Sequence, residues 1–183
     1  MPKTAPAKRL FRKSPRIAGL ALSAALMAAA APLPALAQNA APTTAQPYLE
    51  ASAKGDIFEI TTSMIALQKS QTPAVREFAN MMIADHTRTT NRALATAQRA
   101  SVTPPPAVLD AQQRQQVTQL LNASGPEFDR LYWQIQTAAH QQALALQRNY
   151  AQAGDQPMLQ GFAARAAPVI AEHLEDAQTQ ARM

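Results

Sequence analysis

Cysteine is absent from the 183 residues. No disulfide can form, no thiol nucleophile exists, and no lipid can be attached through a cysteine at the end of a leader. Glycine is scarce, with five residues and no glycine-rich loop of the kind that cradles phosphates. No serine stands in a nucleophile-elbow context, so neither a hydrolase nor a transferase is supported. Long apolar runs are missing everywhere except near the start, where "IAGLALSAALMAAAAPLPALA" occupies residues 17 to 37. Pro32 and Pro34 cut this run short of the roughly 20 residues needed to span a bilayer. "MPKTAPAKRLFRKSPR" precedes it with six positive charges and no acid, and Ala35-Leu36-Ala37 closes it. A basic start, an apolar stretch and a small-x-small end define a secretory signal peptide cleaved after Ala37. The general secretory route is expected. Lys8-Arg9 leaves a weak twin-arginine variant as the other route.

An excess of positive charge is missing as well, once the leader is set aside. Residues 38 to 183 carry 11 Lys and Arg against 12 Asp and Glu, a net charge of −1, so the pI near 10.0 belongs to the precursor. The basic footprint that nucleic-acid binding requires is not there. Nothing after residue 37 reads as a spanning helix or a membrane strand array. The expectation is one exported, periplasmic domain held together by packing alone.

What the chain does have is helix. Residues 38–47, "QNAAPTTAQP", read as a polar, flexible tether. Ala, Gln, Leu and Arg dominate thereafter, as helices prefer. A first helix is expected over about 48–70, with Leu49, Ala53, Ile57, Ile60, Met64 and Leu67 recurring at three and four residue steps. Thr72 and Pro73 supply an N-cap and first position for a second helix, to about residue 100. "VTPPP" breaks the chain at 102–106, and a shorter helix is expected over about 107–121. "SGPE" at 124–127 reads as a capping box opening a fourth helix to Ala153, with Gly154 as its stop. A fifth helix runs from Gln156-Pro157 to about 179, kinked or divided at Pro168. Four long helices with short connections predict an all-α, ferritin-like four-helix bundle over 48–180 with a short extra crossover helix.

The three histidines fall mid-helix, in three different long helices. His86 shares a stripe with Val75, Ala79, Met82, Ala93 and Ala97. His173 shares one with Leu159, Phe162, Ala166, Val169, Ile170 and Ala177. His140 lies at the edge of an apolar arc near Trp133 and Leu144. Glu59, on the first helix, faces Ser52, Gly55, Ser63 and Ala66, small residues that let a neighbour approach. Two readings follow. In one, the histidines are structural core groups paired with acids such as Asp85, Glu172 or Glu59. In the other, Glu59, His86, His140 and His173 converge as a site for a divalent transition metal: zinc, copper, iron or nickel. Neighbouring residues on a helix point about 100° apart, so Asp85 would orient a histidine from another helix, in support of the ligands. Tyr132 and Trp133 read as core aromatics, and Asp129 as an exposed first-turn acid.

These segments also carry a likeness. "AKGDIFEI", "VREFANMMIADHTRTTNRAL", "GPEFDRLYWQIQTAAHQQAL" and "APVIAEHLEDAQ" resemble, in that order over about residues 47–180, the exported bacterial family called domain of unknown function 4142. Its members are labelled outer-membrane proteins and grouped with ferritin-like bundles. The resemblance implies such a bundle in the cell envelope and no established activity. The matching residues are Glu59, Asp85, His86, Phe128, Asp129, His140 and His173. Ala139 stands where the family commonly has an acid before its second histidine. The paired Glu-x-x-His motifs of di-iron ferritins are absent, so neither ferroxidase activity nor an iron-storage shell is expected. The function read here is a periplasmic binding bundle with an envelope or stress role, against a metal-free structural or interaction module and, less strongly, a small metal-dependent enzyme. The sequence names no partner, whether an envelope component or a second copy in a homo-oligomer.

The leader generates the first prediction: intact-mass measurement on periplasmic extract should find a chain beginning at Gln38. A full-length species held in the inner membrane would contradict it.

Overall fold

The computed structural model describes residues 41–104 and 106–182. The expected leader, residues 1–37, and residues 38–40 of the expected tether lie outside the described residues. Five helices form among the described residues: α1 (Ala45–Lys69), α2 (Pro73–Arg99), α3 (Ala111–Asn122), α4 (Gly125–Ala153) and α5 (Pro157–Ala181). No strand occurs among the described residues, and no helix among them is long and apolar enough to cross a membrane.

α1 packs on α2 and α4, and α5 packs on α4 and α2, so the four long helices close a ring in the order α1–α2–α5–α4. α3 crosses over between α2 and α4 and buries only Leu120 fully. This is the expected four-helix bundle with a short extra helix.

Several local expectations are corrected. The segment expected to be a tether is, from Ala41 onward, tied down: the Asn149 side chain donates to the Ala41 carbonyl at 2.9 Å, and the Asp155 amide donates to the Thr43 carbonyl at 2.9 Å. α3 starts at Ala111 because Asp110 and Gln113 form a reciprocal capping box there. Ser124 occupies the N-cap position of α4 but its side chain caps nothing. Asp129 is only partly exposed and accepts from the Thr72 hydroxyl, tying the start of α4 to the start of α2. Pro168 neither ends nor divides α5. It and Ala164, whose carbonyl loses a helical donor, are both exposed, so water can satisfy that carbonyl.

The largest correction concerns α1. Its buried side holds Ser52, Asp56, Glu59, Thr62 and Ser63 beside Phe58, Ile65 and Ala66. Most of the apolar row read from the sequence is turned outward: Met64 is 52% exposed, and Ile57, Ile60 and Leu67 are half-buried, while Leu49 is buried as expected. Val169 of α5 is likewise exposed.

The core is divided along the bundle axis. One apolar cluster gathers Phe58, Phe78, Met82, Phe128, Tyr132 and Trp133. The other gathers Tyr48, Leu49, Leu146, Tyr150, Leu159 and Phe162. On every long helix the buried acids and histidines fall at the junction of the two clusters: Asp56 and Glu59 on α1, His86 on α2, His140 on α4, His173 on α5. Two dry layers thus bracket a polar belt.

Glycines at the rim test the packing. Gly154 stops α4 with φ −65°, an ordinary backbone angle, so its need is not the left-handed conformation usual at a helix stop. A Cβ there would lie 2.6 Å from both the ring and the carbonyl of Tyr150. That ring stacks on Tyr48 at 3.8 Å between centroids. Gly55, inside α1, would place its Cβ in open space. Gly154→Ala should therefore destabilise by about 1–3 kcal/mol through overpacking, and Gly55→Ala should stabilise by about 0.5–1 kcal/mol through helix propensity. Urea midpoints of the two variants should move in opposite directions; movement in the same direction would contradict this packing.

Candidate metal centre

The sequence places one histidine on each of three helices, and the bundle brings the rings together. Centroid separations are 5.7 Å for His86–His140, 5.9 Å for His86–His173 and 5.5 Å for His140–His173. One nitrogen from each ring lies within 4.8 Å of the other two. His140, expected at the edge of its stripe, is fully enclosed. Glu59 joins them from α1, 1% exposed, with Oε2 at 2.9 Å from His86 Nε2 and Oε1 at 3.1 Å from His140 Nδ1.

Each imidazole is gripped by one nitrogen. His86 Nδ1 lies 2.8 Å from Asp56 Oδ1. His140 Nδ1 lies 2.9 Å from the carbonyl of Gln136, one turn earlier. His173 Nε2 lies 3.2 Å from Asp85 Oδ2. The other nitrogen of each ring, His86 Nε2, His140 Nε2 and His173 Nδ1, is buried without a hydrogen-bond partner. Both oxygens of Glu59 share that condition. Glu59 Oε2 and His86 Nε2, 2.9 Å apart, pair when His86 is protonated, whereas His140 Nε2 and His173 Nδ1 have no partner. Buried ring nitrogens left unpaired would each cost about 1–3 kcal/mol. A cation among the three rings would satisfy them.

The donor set meets the chemical requirement for a divalent transition metal. Three imidazoles and one carboxylate suit zinc, nickel or copper(II), and the belt offers no thiolate. Gripping one ring nitrogen by an acid or carbonyl fixes the tautomer and presents the other nitrogen. Asp85 does this from α2 to a ring on α5, while its Oδ1 pairs with Arg88 at 3.0 Å. At Ala139, where an acid is commonly found in the resembled family, none is needed: the Gln136 carbonyl holds His140. Glu172, a candidate partner from sequence, is exposed. A cavity of about 790 Å³ between α1, α3 and α4 reaches Asp56, Glu59 and His86 from the exposed Gln112 and Gln141, giving a path to the belt.

Asp56 was not singled out from the sequence. Its carboxylate is buried, accepts from Thr90 at 2.7 Å and forms a second group of candidate donors with Glu59 and His86. The available signal was the Asp-x-x-Glu spacing on α1, which puts 56 and 59 on one face.

Electrostatics describe how the belt is held without a metal. Burial alone would lower the His86 pKa, but the Glu59 charge, reinforced by Asp56, pushes it up to about 10. Burial would raise Glu59, but the charges of His86 and His140 pull it down to about 2. Burial pushes Asp56 up, opposed by His86. Burial lowers His173 to about 4, helped by repulsion from His140 and His86. A protonated His86 beside the ionised Glu59, with Asp56 on its other nitrogen, is the arrangement these shifts favour without a metal.

Solved structures share the fold. CopM in its Cu(II)-bound form is 19% identical with a TM-score of 0.65, covering 76% of this chain and 96% of that one. CopM in its Cu(I)-bound form is 20% identical with a TM-score of 0.63, covering 74% and 94%. A DUF305 fragment from Deinococcus radiodurans is 14% identical with a TM-score of 0.65, covering 74% and 94%. Among curated proteins, none matches this sequence. A family model does match, over residues 30–179, and by that match the chain belongs to the family described as Domain of unknown function (DUF4142).

Proposed function

We propose that the protein is a periplasmic metal-binding bundle that holds one divalent transition metal through His86, His140, His173 and Glu59, with Asp56 and Asp85 orienting two of the rings. The observation that carries this reading is the shared pattern of the three imidazoles: one nitrogen of each gripped, the other buried without a hydrogen bond, and the rings close enough for one nitrogen of each to lie within 4.8 Å of the other two. Copper(II) is the leading ion. It tops the affinity series for such donors, and structures of the same fold carry copper. The belt supplies no substrate-activating machinery beyond these groups, so the role proposed is binding, in envelope maintenance or metal stress.

The alternative is a structural triad, with His86 as an imidazolium between Asp56 and Glu59. It explains the contacts of His86 but leaves His140 Nε2 and His173 Nδ1 without partners. Both readings share this triad as the metal-free state. In the metal reading the ion displaces the His86 proton.

His173→Gln separates the two. It removes one metal donor without stranding a charge, since Asp85 keeps Arg88. Copper(II) at about a hundred times its dissociation constant stabilises the folded form by about 2.7 kcal/mol. In a domain of this size that raises the melting temperature by about 5–10 °C. The parent should show this rise, and His173→Gln should lose most of it while melting near the parent temperature without metal. A parent that melts identically with and without copper, zinc or nickel leaves the structural triad alone.

The metal-free protein has its own signature. His86 is raised above its ordinary 6.5, so its contribution is complete below about 6.5 and lost as pH rises toward about 10. His173 is lowered, so it costs stability as pH falls from about 6.5 toward about 4. With chelator present, the urea midpoint should fall as pH rises from about 6.5 toward about 10. A midpoint that climbs steadily from pH 6.5 to 9 would contradict the triad.

A further inference from the structure

A second concentration of charge lies in the groove between α2 and α5. Arg88, Arg92 and Arg99 of α2 and Arg165 of α5 line one cleft of about 330 Å³. Four of the 11 Lys and Arg that follow Ala37 therefore share one groove, in a segment whose net charge is −1. Arg88 and Arg92 stand one turn apart on the same helix, a like-charge spacing that is unfavourable unless something neutralises it.

Neutralisation from within the described residues is incomplete. Asp85 is the one carboxylate on the wall, and it is committed: Oδ1 to Arg88 at 3.0 Å, Oδ2 to His173 at 3.2 Å. Arg99 donates one bond to the Thr96 hydroxyl at 3.3 Å. Among the described residues, Arg92, Arg99 and Arg165 take part in no ion pair. The groove is backed by Phe162, which is 6% exposed, and by Ala166 and Val169. An apolar wall behind one sign of charge concentrates the field in the cleft. Guanidinium groups present planar forks of N–H donors that match oxyanions in bidentate fashion.

We propose that this cleft is a binding site for a multiply charged oxyanion of the phosphate class, held by Arg92, Arg99 and Arg165 with Arg88 at its Asp85 end. Three unpaired guanidiniums select a ligand carrying two or more negative charges over a monoanion such as chloride. Free phosphate or pyrophosphate has that chemistry, and so does the phosphomonoester headgroup of a membrane lipid. The site needs no metal and stands or falls apart from the histidine centre.

Calorimetric titration of inorganic pyrophosphate into the purified metal-free protein, at about 0.15 M salt where loose surface attraction is screened, tests the cleft. Arg92→Ala/Arg165→Ala removes two of its walls at exposed helical positions, where alanine favours the helix. Arg130→Ala/Arg148→Ala removes the same charge from exposed positions of α4 outside the cleft. The parent should bind one pyrophosphate per chain, the cleft variant at least about tenfold more weakly, and the control variant within about twofold of the parent. Sedimentation with vesicles of phosphatidic acid against phosphatidylcholine, on the same three proteins, separates the sources. Retention on phosphatidic acid, lost only in the cleft variant, identifies a membrane headgroup, and pyrophosphate binding without retention identifies the free anion. A parent that takes neither pyrophosphate nor phosphatidic acid overturns the proposal. Equal weakening in the two double variants overturns it too, because net charge alone would then account for binding.

Discussion

The structure depends on one buried carboxylate. Glu59 is 1% exposed in the middle of a helical bundle, and an ion taken out of water is expensive unless it is paired. The three imidazoles answer that demand. Their helices must hold them at the height of Glu59, which fixes the register of α2, α4 and α5 against α1. The rotation of α1 follows from the same requirement. Turning Ile57, Ile60 and Met64 inward would bury more apolar surface, but it would take Asp56 and Glu59 away from His86. The pairing prevails, and α1 shows part of its apolar row to solvent.

The two aromatic-rich clusters on either side make the pairing effective. Their packing excludes water above and below the belt, which lowers the dielectric around its charges. The same exclusion makes unpaired ring nitrogens costly. A bundle is suited to this because each long helix offers one inward position per turn at any chosen height. Four helices can then deliver four side chains to one point without any loop taking part. The metal-free triad and the metal-bound state proposed here are two ways of satisfying one belt, by a proton or by an ion.

Much of the bundle was legible in the sequence because caps, prolines and three-four periodicity are local signals. Thr72-Pro73 marked the start of α2, and the stripe around His86 is buried throughout as expected. The failures have physical causes. The face of α1 was misread because periodicity weighs Ile57 and Met64 by hydropathy and cannot see that acids on the other face have partners elsewhere in the chain. The pattern Ser124-x-x-Glu127 expects a capping box at α4 that does not form, while Asp110 and Gln113 form one at α3, since spacing alone does not fix side-chain geometry. Glu59, His86, His140 and His173 could be named as facing inward. Asp56 and the carbonyl of Gln136, which grip two of the rings, could not, because second contacts around a ring depend on distances that no spacing rule encodes.

The proposed centre holds one ion among three imidazoles and the Glu59 carboxylate. X-ray absorption at the copper edge, on protein loaded with one equivalent of copper(II), tests it most directly. The account predicts a first shell of nitrogen and oxygen at about 2 Å, with the outer scattering of three imidazole rings and no sulfur. A spectrum with a sulfur neighbour, or with one imidazole or none, would contradict it.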